Sequence, residues 1–396
     1  MKVTTMSMIE EVKSELTGHI IPFWKKLRDD EYGGYYGLLS YDLKLDKKAE
    51  KGCILNNRIT WFFSNAYLCL KDESLLDEAR HGYEFLHNCC LDRKNGGVYW
   101  SMSYDGKPID TTKHTYNQAF CIYALSSYYD ASGDKEALKE AYDLFDIIET
   151  KCRDEGGYLE AFDEEFKPAS NEKLSENGVM ADRTMNTLLH VFEAYTELYR
   201  VDKNEKVADK LRWILDCFAD KIYNPALHRQ EVFFDHEYNT LIDLYSYGHD
   251  IETSWLIDRG LEILGDEEYT KKLAPITMDL ARNVKKTAFD GHSLANECDK
   301  GVVNTDRIWW VQAETLIGFI NAYQKDKQQK EFLEAARAEW DFIRTYSIDH
   351  REGSEWFSGV AADGSADPKR RDIVEPWKCP YHNGRMCLEV IKRGVE

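Results

Sequence analysis

Residues 116–148 read YNQAFCIYALSSYYDASGDKEALKEAYDLFDII, and the two halves of this stretch differ in kind. Up to Ser132 the residues are small, apolar or aromatic on every side. After Gly133-Asp134 the apolar residues fall three and four apart, with charge between them. The first half predicts a helix buried all round and the second a helix with one wet face, joined by a turn whose Asp134 caps the second helix. This is a helical hairpin with an inner and an outer member.

The pattern recurs along the chain. It appears as RITWFFSNAYLCLKDESLLDEARHGYEFL from Arg58, RTMNTLLHVFEAYTELYRVDKNEKVADKLRWIL from Arg183, HDIETSWLIDRGLEILGDEEYTKKLAPITMDLA from His249 and RIWWVQAETLIGFINAYQKDKQQKEFLEAARAEWDFI from Arg307. An unpaired helix over Met8–Leu27 and a lone last helix, YHNGRMCLEVIKRG from Tyr381, pair to give a sixth hairpin. The expected fold is all-α, a closed (α/α)6 barrel. Turns from inner to outer helices are short. The returning connections are long and carry Gly-aromatic, strand-like pieces such as EYGGYYGLLSYD at Glu31 and NGGVYWSMSYDG at Asn95. These long loops gather where the inner helices begin, so function is expected at that end. No linker rich in Pro, Gly or Ser separates the repeats, and residues 1–396 are read as a single domain.

Composition narrows the function. Lys and Arg total 51 against 71 Asp and Glu, a net charge of −20, which disfavours nucleic acid and anionic membrane surfaces as partners. The first residues, MKVTTMSMIEEVKSEL, hold no apolar h-region, and no stretch reaches the roughly 18 apolar residues of a membrane span, so a cytoplasmic protein is expected. Ten cysteines without a C-x-x-C fit reduced core thiols. No G-x-G-x-x-G, P-loop or H-E-x-x-H stands in a suitable context, so neither a nucleotide cofactor nor a metal is expected.

Polar and aromatic residues recur where the inner helices open. Arg58 follows two asparagines; Tyr116 follows His114; Asp182, Asn186 and His190 share one stripe; His249 and Glu252 stand at i and i+3; Trp309 and Trp310 precede Glu314; Trp377 and His382 flank the last helix start. The His249–Glu252 spacing lets a carboxylate hold one imidazole nitrogen and make the other a better base. Trp309 and Trp310, about 100° apart on a helix, are read as one core residue and one stacking platform, without deciding which is which. Arg58 is placed on the cavity wall, where a guanidinium could clamp two ligand oxygens.

Together RITWFFSNAY, SYGHDIETSW, RIWWVQAE and PWKCPYHNGRMC, with HTYNQAF and LSENGVMADRTMN, resemble the cellobiose 2-epimerases of the N-acylglucosamine 2-epimerase superfamily over essentially the whole chain. The resemblance implies cofactor-independent C2 epimerisation of the reducing-end glucose of cellobiose, lactose or similar β-1,4-linked oligosaccharides. It implies Arg58, His190, His249, Glu252 and His382 as the catalytic set, with Tyr116, Asn186, Trp309 or Trp310, and Trp377 on the sugar; Asp182 and Glu314 are added as sugar-binding candidates. A monomer is expected. Family members commonly carry a histidine where this chain has Asn56 and a glycine where it has Glu375, and neither change removes a proposed acid or base. Close relatives acting on free monosaccharides, and a glycoside hydrolase on the same barrel, are the rival enzymatic readings. The histidines at the helix starts argue against the hydrolase.

Overall fold

The computed structural model describes residues 6–174 and 178–395. Six inner helices, α3 (Cys53–Leu70), α5 (Thr115–Ser132), α7 (Met185–Asp202), α9 (Tyr247–Leu264), α11 (Trp309–Lys325) and α13 (Tyr381–Arg393), each pack on the next, and α13 returns to α3. The ring is therefore closed, an (α/α)6 barrel as the repeats predicted. Its outer layer is α4 (Glu73–Phe85), α6 (Lys135–Lys151), α8 (Glu205–Cys217), α10 (Glu267–Ala288) and α12 (Lys330–Phe342). The sixth outer position is filled by α1 (Met8–Glu15) and α2 (Ile21–Lys26), joined by a π turn at Leu16–Ile20, and α1 packs on α13.

Burial follows the two sequence patterns. The first fourteen residues of α3 and of α5 are all buried, whereas α6 buries only residues such as Ala137, Ala141, Leu144 and Ile148 along one stripe. The hairpin turns repeat a two-residue device, Lys71-Asp72, Gly133-Asp134, Lys203-Asn204 and Gly265-Asp266. The first residue is left-handed (φ 58°, 75°, 50° and 69°) and ends the inner helix; the second caps the outer one with its side-chain oxygen. Where the ring closes, Gly384 of α13 lies so near α3 that a Cβ would come within 2.4 Å of the Phe62 ring.

At the other end, short antiparallel strands fix where inner helices begin. Lys113–His114 pairs with Ala161–Phe162 before α5, and Arg183–Thr184 with Phe233–Phe234 before α7. Four inner helices are also tied down by a buried cation two residues before their start. Lys51 meets Asp29 at 2.6 Å, Lys113 meets Asp92 at 2.8 Å, Arg183 meets Asp154 at 2.7 Å and Arg307 meets Asp290 at 2.6 Å. Each acid sits in the loop after the preceding outer helix, so hairpin is clamped to hairpin around the rim. All ten cysteines are free.

Candidate active site

At the loop-bearing end the inner helices enclose a cavity of about 200 Å³. Of the twelve side chains singled out from the sequence, all but Asp182 and Glu314 line it, joined by Lys173 and Leu174. A roomier cleft of about 610 Å³ lies between α1 and the 348–354 loop, but its buried-side histidine, His19, is bound at both ring nitrogens, to Glu15 and to the Ser354 carbonyl. The central cavity is the one on which three histidines converge.

Three histidines face it, each fixed through Nδ1. His190 meets Glu193 Oε2 at 2.9 Å, His249 meets Ser246 Oγ at 2.7 Å, and His382 meets Glu314 Oε1 at 2.7 Å. With Nδ1 engaged, Nε2 is the atom left for a substrate. The rings are also held by aromatic neighbours. Trp310 stands 4.8 Å from His249 and 5.4 Å from His382 between centroids, and Tyr116 is 5.0 Å from His190. Arg58 donates to the Tyr116 hydroxyl at 2.8 Å and to the Trp377 carbonyl at 3.3 Å, its guanidinium lying over Phe120 and Tyr381.

Beneath the cavity Arg385 gathers three buried carboxylates. It donates to Glu193 Oε1, to Glu252 Oε1 at 2.6 Å and to Glu314 Oε1 at 2.7 Å, and Tyr381 donates to Glu193 Oε2 at 2.5 Å. The carboxylates respond differently to one environment. Burial works to raise Glu193, but Arg385 and His190 pull it down to about 2. Glu252 goes well above its usual value, through burial and then the charge of Glu314. The imidazoles are kept neutral, chiefly by burial: His249 falls to about 3, and His190 and His382 are also pushed down, with Arg385 and Arg58 adding to the effect at both. Among the described residues, Glu252, Glu314 and His382 are close enough to share a cation, but Arg385 already occupies both carboxylates.

Four expectations need correction. Glu252 does not hold His249: it turns to Arg385, and Ser246, three residues before His249, takes the imidazole instead. The H-x-x-E geometry is realised one repeat earlier, at His190 and Glu193. Trp309 and Trp310 both line the cavity, because both lie in the first turn of α11 at its mouth. Glu314 is fully buried behind His382, where it orients the ring and does not reach the cavity. Asp182 precedes the helix, since the 183–184 strand delays α7 until Met185, and its side chain pairs with His236 at 2.8 Å outside the cavity. Residues 175–177 of the LSENGV stretch lie outside the described residues.

Sequence reasoning missed Glu193, Arg385, Lys173 and Leu174. The first two had a signal, each standing three residues after a cavity histidine. Lys173 had none; it reaches the rim by pairing with Asp110 of another long loop at 2.6 Å. Asn56 is structural, accepting from Tyr35 N and donating to Gly52 O. Among the described residues Asn186 Oδ1, Glu252 Oε2 and Trp309 Nε1 have no partner, as expected where a polar ligand is to be met.

Residues 33–382 match the model of the N-acylglucosamine 2-epimerase (GlcNAc 2-epimerase) family. The chain belongs to this family. It is 56% identical to a cellobiose 2-epimerase of Ruminococcus albus over 389 residues, covering 98% of this chain and 100% of that one. Among solved structures, a sugar epimerase from a ruminal bacterium superposes with a TM-score of 0.97 at 55% identity, covering 98% of this chain and 100% of the other. The cellobiose 2-epimerase of Bacillus thermoamylovorans B4167 superposes with 0.93 at 47% identity, over 97% and 99%. The chain is thus a sugar epimerase by family, an isomerase on an (α/α)6 barrel.

Proposed function

We propose that this epimerase acts on cellobiose and related β-1,4-linked oligosaccharides, converting the reducing-end glucose reversibly to mannose. The observation that carries the chemistry is the set of three neutral histidines, each anchored at Nδ1, around one polar cavity. Epimerisation needs the sugar ring to open, so that the C2 proton stands beside the C1 aldehyde. His249 and His382 serve as the two bases, because both rings pack beside the same Trp310 ring and both are held at Nδ1, leaving Nε2 for the substrate.

One imidazole takes the C2 proton, and the electron pair moves onto the C1 carbonyl to form a cis-enediolate. The other histidine, having taken up a proton, delivers it to the opposite face of C2 as the carbonyl re-forms. The first releases its proton, and the site is restored. Arg58 and His190 face the enediolate oxygens, and such preorganised donors are worth roughly 10²- to 10³-fold each. Trp309, Trp310, Trp377, Tyr116 and Asn186 hold the sugar. No metal or nucleotide enters this scheme. All of these groups come from one chain, so we also take it as one domain working as a monomer in the cytoplasm.

The test is NMR of the purified protein with cellobiose in D₂O. The expected product is glucosyl-mannose with deuterium at C2. Free glucose would point to hydrolysis instead, and product without label at C2 would sink the proton-transfer scheme.

A further inference from the structure

Asp182, left out of the central cavity, lines a second one of about 180 Å³, nearly as roomy as the 200 Å³ site itself. The two share their walls. On one strand of chain, Asn171 faces the outer cavity while Lys173 and Leu174 face the central one, and the turn is closed by Leu174 N donating to Asn171 O at 3.2 Å. On the other, Asp182 lies in the outer cavity and Asn186 in the central one.

Asn171 is the telling residue. It is 4% exposed, yet among the described residues neither its Oδ1 nor its Nδ2 has a hydrogen-bond partner. An amide buried this way costs free energy unless something meets it, and Asn171 is one of the residues that line the cavity. The acids on its wall already have partners. Glu160 accepts from Thr184 N at 2.8 Å and Thr187 Oγ1 at 2.7 Å, Asp182 is paired with His236 at 2.8 Å, and among the described residues no lysine or arginine lines the space. Phe162 and the half-exposed Met180 supply apolar surface. A donor–acceptor amide, a polar rim and an apolar wall suit a neutral polyhydroxylated ring, with hydroxyls at its edge and C–H groups on its face.

We propose that this second cavity binds one neutral pyranose ring, either the third sugar unit of an oligosaccharide whose reducing end occupies the central cavity or a free monosaccharide. The first source rests on the function proposed above; the second does not.

The test uses the full-length protein, Asn171→Ala and Asn171→Leu, the latter filling the space with an apolar group of like size. Loss of an unpartnered buried amide leaves folding intact or improved. Initial epimerisation rates are measured on cellobiose and cellotriose, and melting is followed with methyl β-glucoside, whose blocked reducing end prevents turnover. For the third-sugar source, both variants lose kcat/KM on cellotriose by roughly tenfold, the worth of one or two hydrogen bonds, while cellobiose stays within about twofold. For the free-ring source, the cellotriose to cellobiose ratio is unchanged, but a methyl β-glucoside-induced rise in Tm seen in the native protein vanishes in both variants. The proposal is overturned if ratio and Tm response are the same in all three proteins, the cavity then holding only water. A native protein inactive on cellobiose would sink the proposed function separately, with the melting experiment still readable.

Discussion

Helices α7 and α9 of neighbouring repeats carry the same tetrad, His190-x-x-Glu193 and His249-x-x-Glu252, the first set three residues further into its helix than the second, and use it in opposite ways. In α7 the carboxylate grips its own histidine at 2.9 Å and stays ionised. In α9 the carboxyl turns away to Arg385, is pushed well up by burial and Glu314, and leaves Oε2 without a partner among the described residues, while the histidine is held by Ser246. Spacing of i and i+3 decides which side chains share a face; a third group decides which of them bond. Here the third group is one guanidinium from α13. Glu193 has an oxygen to spare after meeting Arg385, and gives it to His190 and Tyr381.

The sharpest way to break the comparison is at the histidines themselves. His249→Asn should lower kcat by at least about 10³-fold, as for loss of a positioned acid–base group, whereas His190→Asn should cost roughly 10²-fold, as for loss of an oxyanion partner. Steady-state rates and C2 deuterium exchange check this. Equal losses with exchange abolished in both would place His190 among the proton carriers.

The carboxylates should differ in stability. Glu193→Gln removes a charge that Arg385, Tyr381 and His190 all use, and should cost about 2–3 kcal/mol in denaturant unfolding, the scale of hydrogen bonds to charged groups. Glu252→Gln replaces an acid that burial and Glu314 push toward its neutral form by a group of nearly the same shape, and should cost less than about 1 kcal/mol. Equal costs would mean that Glu252 is ionised beneath the cavity.

How far the sequence carried this reading follows from what kind of order each feature has. The barrel was legible because each hairpin is local: all-round apolar helices, Asx-capped turns and one-sided outer helices are written within about thirty residues. Most cavity residues followed from their place at the helix starts. The errors arose where distant pieces meet. Asp182 was misplaced because Phe233–Phe234, fifty residues away, pairs with Arg183–Thr184 and moves the start of α7. The Glu252 partner was misjudged because Arg385 comes from the far end of the chain, and spacing within α9 holds no trace of it.

The smallest expected effect bears most directly on the contrast. Ser246 meets His249 Nδ1 at 2.7 Å, a bond between neutral groups, where His190 has an ionised carboxylate. Such a bond is worth about 1 kcal/mol, so Ser246→Ala should lower kcat about fivefold. KM should hold, because Ser246 is not among the groups lining the cavity. Ser246→Thr, which keeps the hydroxyl, should restore the rate, and a simple packing defect would not be rescued so selectively. An unchanged kcat in Ser246→Ala would mean that contact with Trp310 alone orients the imidazole. In that case α9 would owe its base to aromatic packing, and only α7 would owe its histidine to a hydrogen bond.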